Sequence, residues 1–230
     1  MCGRINIHSG PLTLLFMDML GIAYGGDDRF NVAPTLNLPV FRVGTQSVLE
    51  AADMRWWLTP YWAKEVSTKY SMFNAKAETL AQSRAFREPY ARRRCAVPIA
   101  GFYEWRRAAG GGKQPYYIHA ADDTGLLLAG IWDRWRGPDT VVESFAIVTT
   151  AVHAELEFVH SRQPVMLSRE EARRWLDPEV RRSTLDGLLA SHLPGDLEIV
   201  PVSTYVNNAR NEGARCMEPV GDPIVIPRSQ

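Results

Sequence analysis

No run of about 18 uninterrupted apolar residues occurs in the 230-residue sequence, so a membrane-spanning helix is not expected. The first residues lack the basic, apolar and cleavage regions of a signal peptide. Cysteine is scarce: Cys2, Cys95 and Cys216 are odd in number and have no CxxC spacing. That excludes a disulfide framework and predicts a reducing compartment, the cytoplasm. Net charge is missing too, because 26 basic residues face 26 acidic ones. A protein that coats nucleic acid by bulk electrostatics is therefore not expected, although a local basic groove remains open. No Walker loop, no GxGxxG opening a helix, no GxSxG and no HExxH occurs. His8, His119, His153, His160 and His192 show no metal-ligand spacing with the cysteines, so neither a metal nor an organic cofactor is expected.

What remains is an ordinary globular composition, 46% hydrophobic and 23% charged, without linker, repeat or low-complexity tract. One domain over 1–230 is expected, with a C-terminal tail from about 221. CGRINIH reads as a strand, and Pro11 to Leu20 as a helix stopped by Gly21. RFNVAPTLNLPVFRV is extended, since its prolines forbid a helix. Ala75 to Phe86 reads as helical and RCAVPIAGFYEWRR as one buried strand. AAGGGK is a hairpin-type turn into the strand QPYYIHA. GLLLAGIWDRW and SFAIVTTAV are further strands around the turn RGPD. His153 to Val159 reads as a short helix. SREEARRWLD is a longer one, with Ser168 as N-cap and Glu171 three residues on. Another helix is expected near Glu179 to Ala190, then a strand at LEIVPVS. Strands with helices inserted between them define a mixed α+β domain.

Among basic residues only Lys64, Lys69, Lys76 and Lys113 are lysines, and seven arginines fall between Arg84 and Arg107. Arginine's planar fork suits bidentate phosphate contacts, but such a run equally makes a solvated face. Trp56, Trp57, Tyr61 and Trp62 form an aromatic cluster suited either to a core or to stacking on bases.

Cys2 carries the sharpest chemistry. Removal of Met1, which a small second residue permits, leaves a free amine and a thiol on adjacent carbons. Their ordinary pKa values are about 7.7–8.0 and about 8.5, so both nucleophiles are partly available near neutrality. Such a 1,2-aminothiol condenses with an aldehyde to a Schiff base, which the thiol closes into a thiazolidine. Alternatively, the thiol attacks a carbonyl with the amine as base.

CGR is followed in order by RFNVAPT, FNAKAET, RCAVPIAGFYEW, AGIWDRW, SFAIVTT, VHSRQPVML and PVSTYVNN. Together these segments resemble the SOS response-associated peptidase (SRAP) family of abasic-site shielding proteins, from Cys2 to about Pro219. The resemblance implies a single α+β domain with a largely antiparallel sheet or barrel core and flanking helices. It implies covalent capture of abasic sites in single-stranded DNA by a cytoplasmic, monomeric protein that is nucleoid-associated when bound to damaged DNA. Cys2 is then the crosslinking nucleophile and Asn74 the amide that orients it. Glu104 is the acid/base, and His160 the active-site histidine. Arg4, Arg84 and Arg162 stand at phosphate-binding positions. Pro34 lies on a loop near the damaged nucleotide, and Trp56, Lys76 and Thr149 join the DNA-contact set.

The residue types suit these roles. An abasic deoxyribose is mostly a closed hemiacetal, so a proton donor must assist ring opening. Glu104, between Tyr103 and Trp105, is expected to have its pKa raised by desolvation. His160 can pass protons near neutrality, and Asn74 offers an amide that does not compete for them. Three departures bear on DNA contact: Trp57 where the family commonly has glycine, Lys76 for arginine, and Gln163 for methionine or arginine. Two rival functions use the same sequence: a thiol autopeptidase or peptidase built on Cys2, and a non-covalent single-stranded DNA-binding protein.

Overall fold

Apolar segments rich in β-branched and aromatic residues, each cut by a proline, a glycine or a polar turn, form two sheets in this computed structural model. The structure describes residues 2–44, 46–107 and 110–229. In chain order the first elements are β1 (Ile5–Ile7), α1 (Ser9–Leu20), β2 (Arg29–Val32), β3 (Asn37–Val43), β4 (Leu49–Trp56) and β5 (Asn74–Lys76). Then come α2 (Arg87–Arg92), β6 (Arg94–Ile99), β7 (Gly101–Arg107), β8 (Lys113–Ala120), β9 (Leu126–Arg136) and β10 (Val141–Ala151). β11 (Arg162–Pro164), β12 (Met166–Leu167), α3 (Arg169–Leu176), β13 (Leu197–Pro201) and β14 (Ile224–Ile226) complete the chain.

One sheet is open and antiparallel, in the order β14-β13-β8-β7-β1-β2. The other runs β10-β4-β3-β6-β9 and closes on itself where β9 pairs β10, making a five-stranded barrel. β11 and β12 extend it, and β5 lies parallel to β10. The molecule is thus mixed α+β, as the alternation of strands and helices predicts.

Period-two alternation sorts the barrel strands between two cores. Cys95, Val97 and Ile99 of β6, with Phe145 and Ile147 of β10, face Ile5, Phe102 and Ile118 of the open sheet. Ala96, Ala129, Ile131 and Val148 point the other way, onto Leu15 and Phe16 of α1 and Trp175 of α3. α1 ends at Gly21, whose φ of +71° lets its N–H reach the Met17 carbonyl. α3 starts with the expected capping box between Ser168 and Glu171.

Several local expectations are corrected. Residues 75–86 are not a helix: Asn74–Lys76 pairs with Ile147–Thr149, and only one 3₁₀ turn (Ala77–Thr79) follows before α2. The parallel ladder outweighs the helix propensity of alanine, lysine and glutamate. RCAVPIAGFYEWRR is two strands, because the chain leaves the barrel at Ala100, whose N–H bonds to Asn6 O, and enters the open sheet. Residues 153–159 contain only the 3₁₀ turn Ala154–Leu156, and 179–190 form two 3₁₀ turns. In the AAGGGK turn, Ala108 and Ala109 lie outside the described residues. The segment from 221 is partly built into the fold, since β14 pairs β13 and Ser229 N bonds to Leu193 O. No helix among the described residues is long and apolar enough to cross a membrane.

Candidate active site

The four chemical side chains come from both sheets and meet at the seam between them. Pairing of Ile5 with Phe102 places residues 2–4 alongside 103–105, and Tyr103 N donates to Arg4 O at 2.9 Å. Asn74 stands on β5 and reaches across, its Nδ2 donating to the Cys2 carbonyl at 2.8 Å. His160 precedes β11, which β10 holds through the Ala151–Arg162 pair. β10 therefore carries Asn74 on one side and the His160 segment on the other. The Asn74 hydrogen bond pins residue 2 of the open sheet to the barrel. Asn74 Oδ1 is also buried and makes no hydrogen bond, so the amide has an acceptor left over.

Cys2 is fully buried and Glu104 is 4% exposed. Burial pushes the Glu104 carboxyl above its ordinary value, an effect that the His160 charge partly opposes. The wall that desolvates it differs from the expected one. Neighbouring residues on a strand face opposite sides, so Tyr103 and Trp105 lie on the far face. There Tyr103 packs on Tyr117, and Trp105 Nε1 donates to Asn207. Glu104 instead shares a narrow cleft with Phe102, Ile118, Leu156, Val159 and His160, whose free volume of about 10 Å³ barely holds one water. Burial first, and the Glu104 charge second, raise the Cys2 thiol well above its ordinary value. The sulfur is thus a protonated thiol at neutral pH. His160 Nδ1 lies 3.0 Å from the Arg162 amide nitrogen and 3.2 Å from the Arg162 carbonyl oxygen, so the turn into β11 fixes that edge of the ring.

The expected DNA contacts divide. Arg162 lies beside the cleft, its guanidinium held by Glu78, by the Thr149 carbonyl at 2.7 Å and by Thr149 Oγ1 at 3.3 Å. Thr149 itself is fully buried; it supports Arg162 and presents nothing to a ligand. Lys76 is exposed next to Asn74. Arg84 lies 4.3 Å over the ring of Trp62, and Trp62 and Tyr61 are 39% and 58% exposed. Trp57 is half-buried against Phe73, the residue before Asn74, so this departure borders the site.

Trp56 is corrected outright. It is completely buried, stacked on Phe145, with Nε1 bonded to Phe73 O, so it belongs to the core and cannot stack on a base. Gln163 also faces inward, 2% exposed, and joins His153 N to His192 O. Arg4 is on the Trp105 face, away from the cleft, with Nη1 bonded to Asn31 Oδ1 and Val206 O. Pro34 is half-buried in the turn between β2 and β3. The next residue, Thr35, has a φ of 84°, a strained value for a β-branched side chain, and its N–H bonds to Trp56 O. Glu78 is the residue that the sequence reading passed over. Its signal is a lone carboxylate inside FNAKAET, two residues after Lys76.

A larger open depression of about 650 Å³ lies elsewhere, between Arg42, Trp132 and Asp133, and its charges are paired. Among the described residues no group of three or more His, Cys, Asp or Glu side chains is arranged to hold a metal ion.

The chain resembles known proteins over most of its length. Abasic site processing protein YoqW of Bacillus subtilis is 34% identical over 192 residues, covering 82% of this chain and 85% of that one. YoaM of the same organism, also an abasic site processing protein, is 30% identical over 224 residues, covering 95% and 98%. Abasic site processing protein HMCES of Pongo abelii is 31% identical, covering 96% of this chain and 76% of its own. A crystal structure from Bacteroides thetaiotaomicron superposes with a TM-score of 0.81 at 24% identity, covering 95% of this chain and all of that one. The crystal structure of a phage-related protein from Bordetella bronchiseptica superposes at 0.65 with 28% identity, covering 82% and 87%. The model of the SOS response associated peptidase (SRAP) family matches residues 1–209, and the chain belongs to that family.

Proposed function

We propose that this protein processes abasic sites in single-stranded DNA by capturing them covalently through Cys2. The observation that carries the proposal is the Asn74–Cys2 hydrogen bond, which fixes residue 2 beside a buried carboxyl whose pKa burial raises. Relatives that match most of this chain are named abasic site processing proteins, which agrees with it.

The chemistry follows from which groups hold protons. Glu104, whose hold on a proton burial strengthens, donates in its protonated form to the ring oxygen of the hemiacetal and frees the C1′ aldehyde. Once Met1 has been removed, the Cys2 amine attacks C1′ to give a carbinolamine. Loss of water, with His160 passing the proton, leaves the imine. The Cys2 thiol adds to the imine carbon, its proton goes to the nitrogen, and a thiazolidine results. Aldehyde plus aminothiol thus gives thiazolidine plus one water, with no oxidant and no cofactor. A buried, protonated thiol is a poor first nucleophile, which favours this amine-first order over a thiol peptidase. Asn74 holds the Cys2 carbonyl so that the amine stays aimed as the cleft widens for the sugar. Lys76, Arg162 and the Arg84–Trp62 pair supply phosphate and base contacts along the strand.

Intact mass spectrometry after mixing with an abasic oligonucleotide tests this. Expected are loss of Met1 and a stoichiometric, heat-stable adduct that is absent with undamaged DNA and lost in Cys2→Ala. A heat-stable adduct persisting in Cys2→Ala, or no adduct once the terminus is free, overturns it.

A further inference from the structure

The Glu78 carboxylate, on the 3₁₀ turn after β5, engages both terminal nitrogens of Arg162, with Nη2–Oε2 at 3.0 Å. The pair is lopsided in exposure: Arg162 is 18% exposed and Glu78 50%. Arg162 is anchored from behind by buried Thr149, whereas Glu78 stands on the solvent side. Lys76, two residues earlier on the edge of β5, also acts electrostatically on Glu78. The carboxylate therefore feels two cations, of which Arg162 lines the cleft. A carboxylate and a phosphate present the same paired oxygens to a guanidinium fork.

We infer that Glu78 is an internal stand-in for a DNA phosphate: it occupies the Arg162 fork in the free protein and is displaced by the strand. The inference rests on the proposed DNA function and adds a residue to it. Displacement exchanges one anion for another on Arg162, with no bond made or broken covalently. It needs only rotation of the half-exposed Glu78 side chain, since Thr149 keeps the arginine in place. The low carboxyl pKa that the Arg162 hydrogen bonds give Glu78 keeps the stand-in ionised across the working pH range. Two consequences follow. The latch weakens the non-covalent binding of every strand by the same factor and leaves the ratio of their affinities unchanged. It also flattens the salt dependence. A phosphate that replaces Glu78 releases a condensed cation, but the freed carboxylate takes one up.

Fluorescence anisotropy with an undamaged single-stranded oligonucleotide tests this without the covalent step. Glu78→Gln is expected to bind about 2- to 5-fold tighter, the range of a partly exposed ion pair. Its slope of log K against log salt should steepen by about 0.7, one further phosphate-type ion release on a single strand. In an Arg162→Gln background, Glu78→Gln should have no effect. Weaker or unchanged binding by Glu78→Gln would mean that Glu78 merely props Arg162, and the inference fails. Equal tightening in the Arg162→Gln background would assign the gain to net charge alone, and the inference fails. If the wild type neither binds strands nor crosslinks to abasic ones, the DNA function itself fails. If wild type and variant both crosslink but bind equally, only the latch does. Thermal melting of both variants guards against a folding defect, and matched Tm values make the binding difference interpretable.

Discussion

Two carboxylates, Asp133 on β9 and Glu104 on β7, are buried to almost the same degree, 2% and 4% exposed, yet their surroundings are opposite. Asp133 accepts the backbone N–H of Tyr61 at 2.9 Å and that of Arg134 at 2.8 Å, and has the Arg93 guanidinium 3.2 Å away. Glu104 lines a cleft shared by apolar Phe102, Ile118, Leu156 and Val159 and by His160, Arg162 and Gln163, and burial outweighs its polar neighbours and raises its pKa. Asp133 is a staple: it ties the aromatic loop that carries Tyr61 and Trp62 to the barrel. In Glu104 desolvation outweighs the groups that favour its charge, so ionising it costs stability. Burial alone therefore does not fix a carboxyl's proton affinity; the balance with its neighbours does.

Removing the staple should give the largest effect. Asp133→Asn turns one accepting oxygen into a donor facing donors and leaves Arg93 only the longer contact with Glu88, at 3.9 Å. A loss of about 2–3 kcal/mol is expected, or roughly 5–10 °C in Tm for a chain this size. A melt unchanged within about 1 °C would deny Asp133 its role. The loop released with it should also weaken single-strand binding, read in the same anisotropy assay.

Glu104→Gln should move stability the other way. A group whose folded pKa is raised stabilises the fold fully below its unfolded value of about 4.3, and that contribution is lost as pH rises to and through the folded value. The variant should therefore melt like the wild type at low pH and higher than it at neutral pH. Crosslinking to abasic DNA should slow by about 100-fold, as expected for loss of a general acid. A variant less stable than the wild type at neutral pH would mean that Glu104 is a second staple, and the contrast would collapse.

Much of this was legible in the chain, because most strands announce themselves by alternation and by their turns, and α1 and α3 by their caps. Cys2 stands out by its own chemistry, whereas Asn74, Glu104 and His160 are named through the family resemblance of their segments. What brings them together could not be read, because it depends on β10 pairing in parallel with β5 and antiparallel to β11, partners separated by about 70 and about 13 residues. The same long-range ladder explains why 75–86 imitates a helix. Trp56 and Trp57 are adjacent and alike in composition, but strand geometry sends the first into the core and leaves the second half-exposed. Glu78 was invisible because its meaning comes from Arg162, 84 residues on.

The smallest expected effect tests the assignment of faces around Glu104. Trp105 is next to Glu104 in sequence, but its indole lies on the opposite side of the sheet, touching Asn207 and Arg4. Trp105→Phe removes one exposed hydrogen bond and should cost about 1 kcal/mol or less. It should leave the pH profile of the crosslinking rate in place. Val159→Thr, nearly equal in volume, puts a hydroxyl on the cleft wall itself. A polar wall stabilises the ionised carboxyl, so the Glu104 pKa should fall. Because a general acid works only while protonated, the decline of rate with rising pH should begin at lower pH in Val159→Thr. If Trp105→Phe moves that limb and Val159→Thr does not, the desolvating wall is the one formed by sequence neighbours, and the strand faces have been assigned backwards.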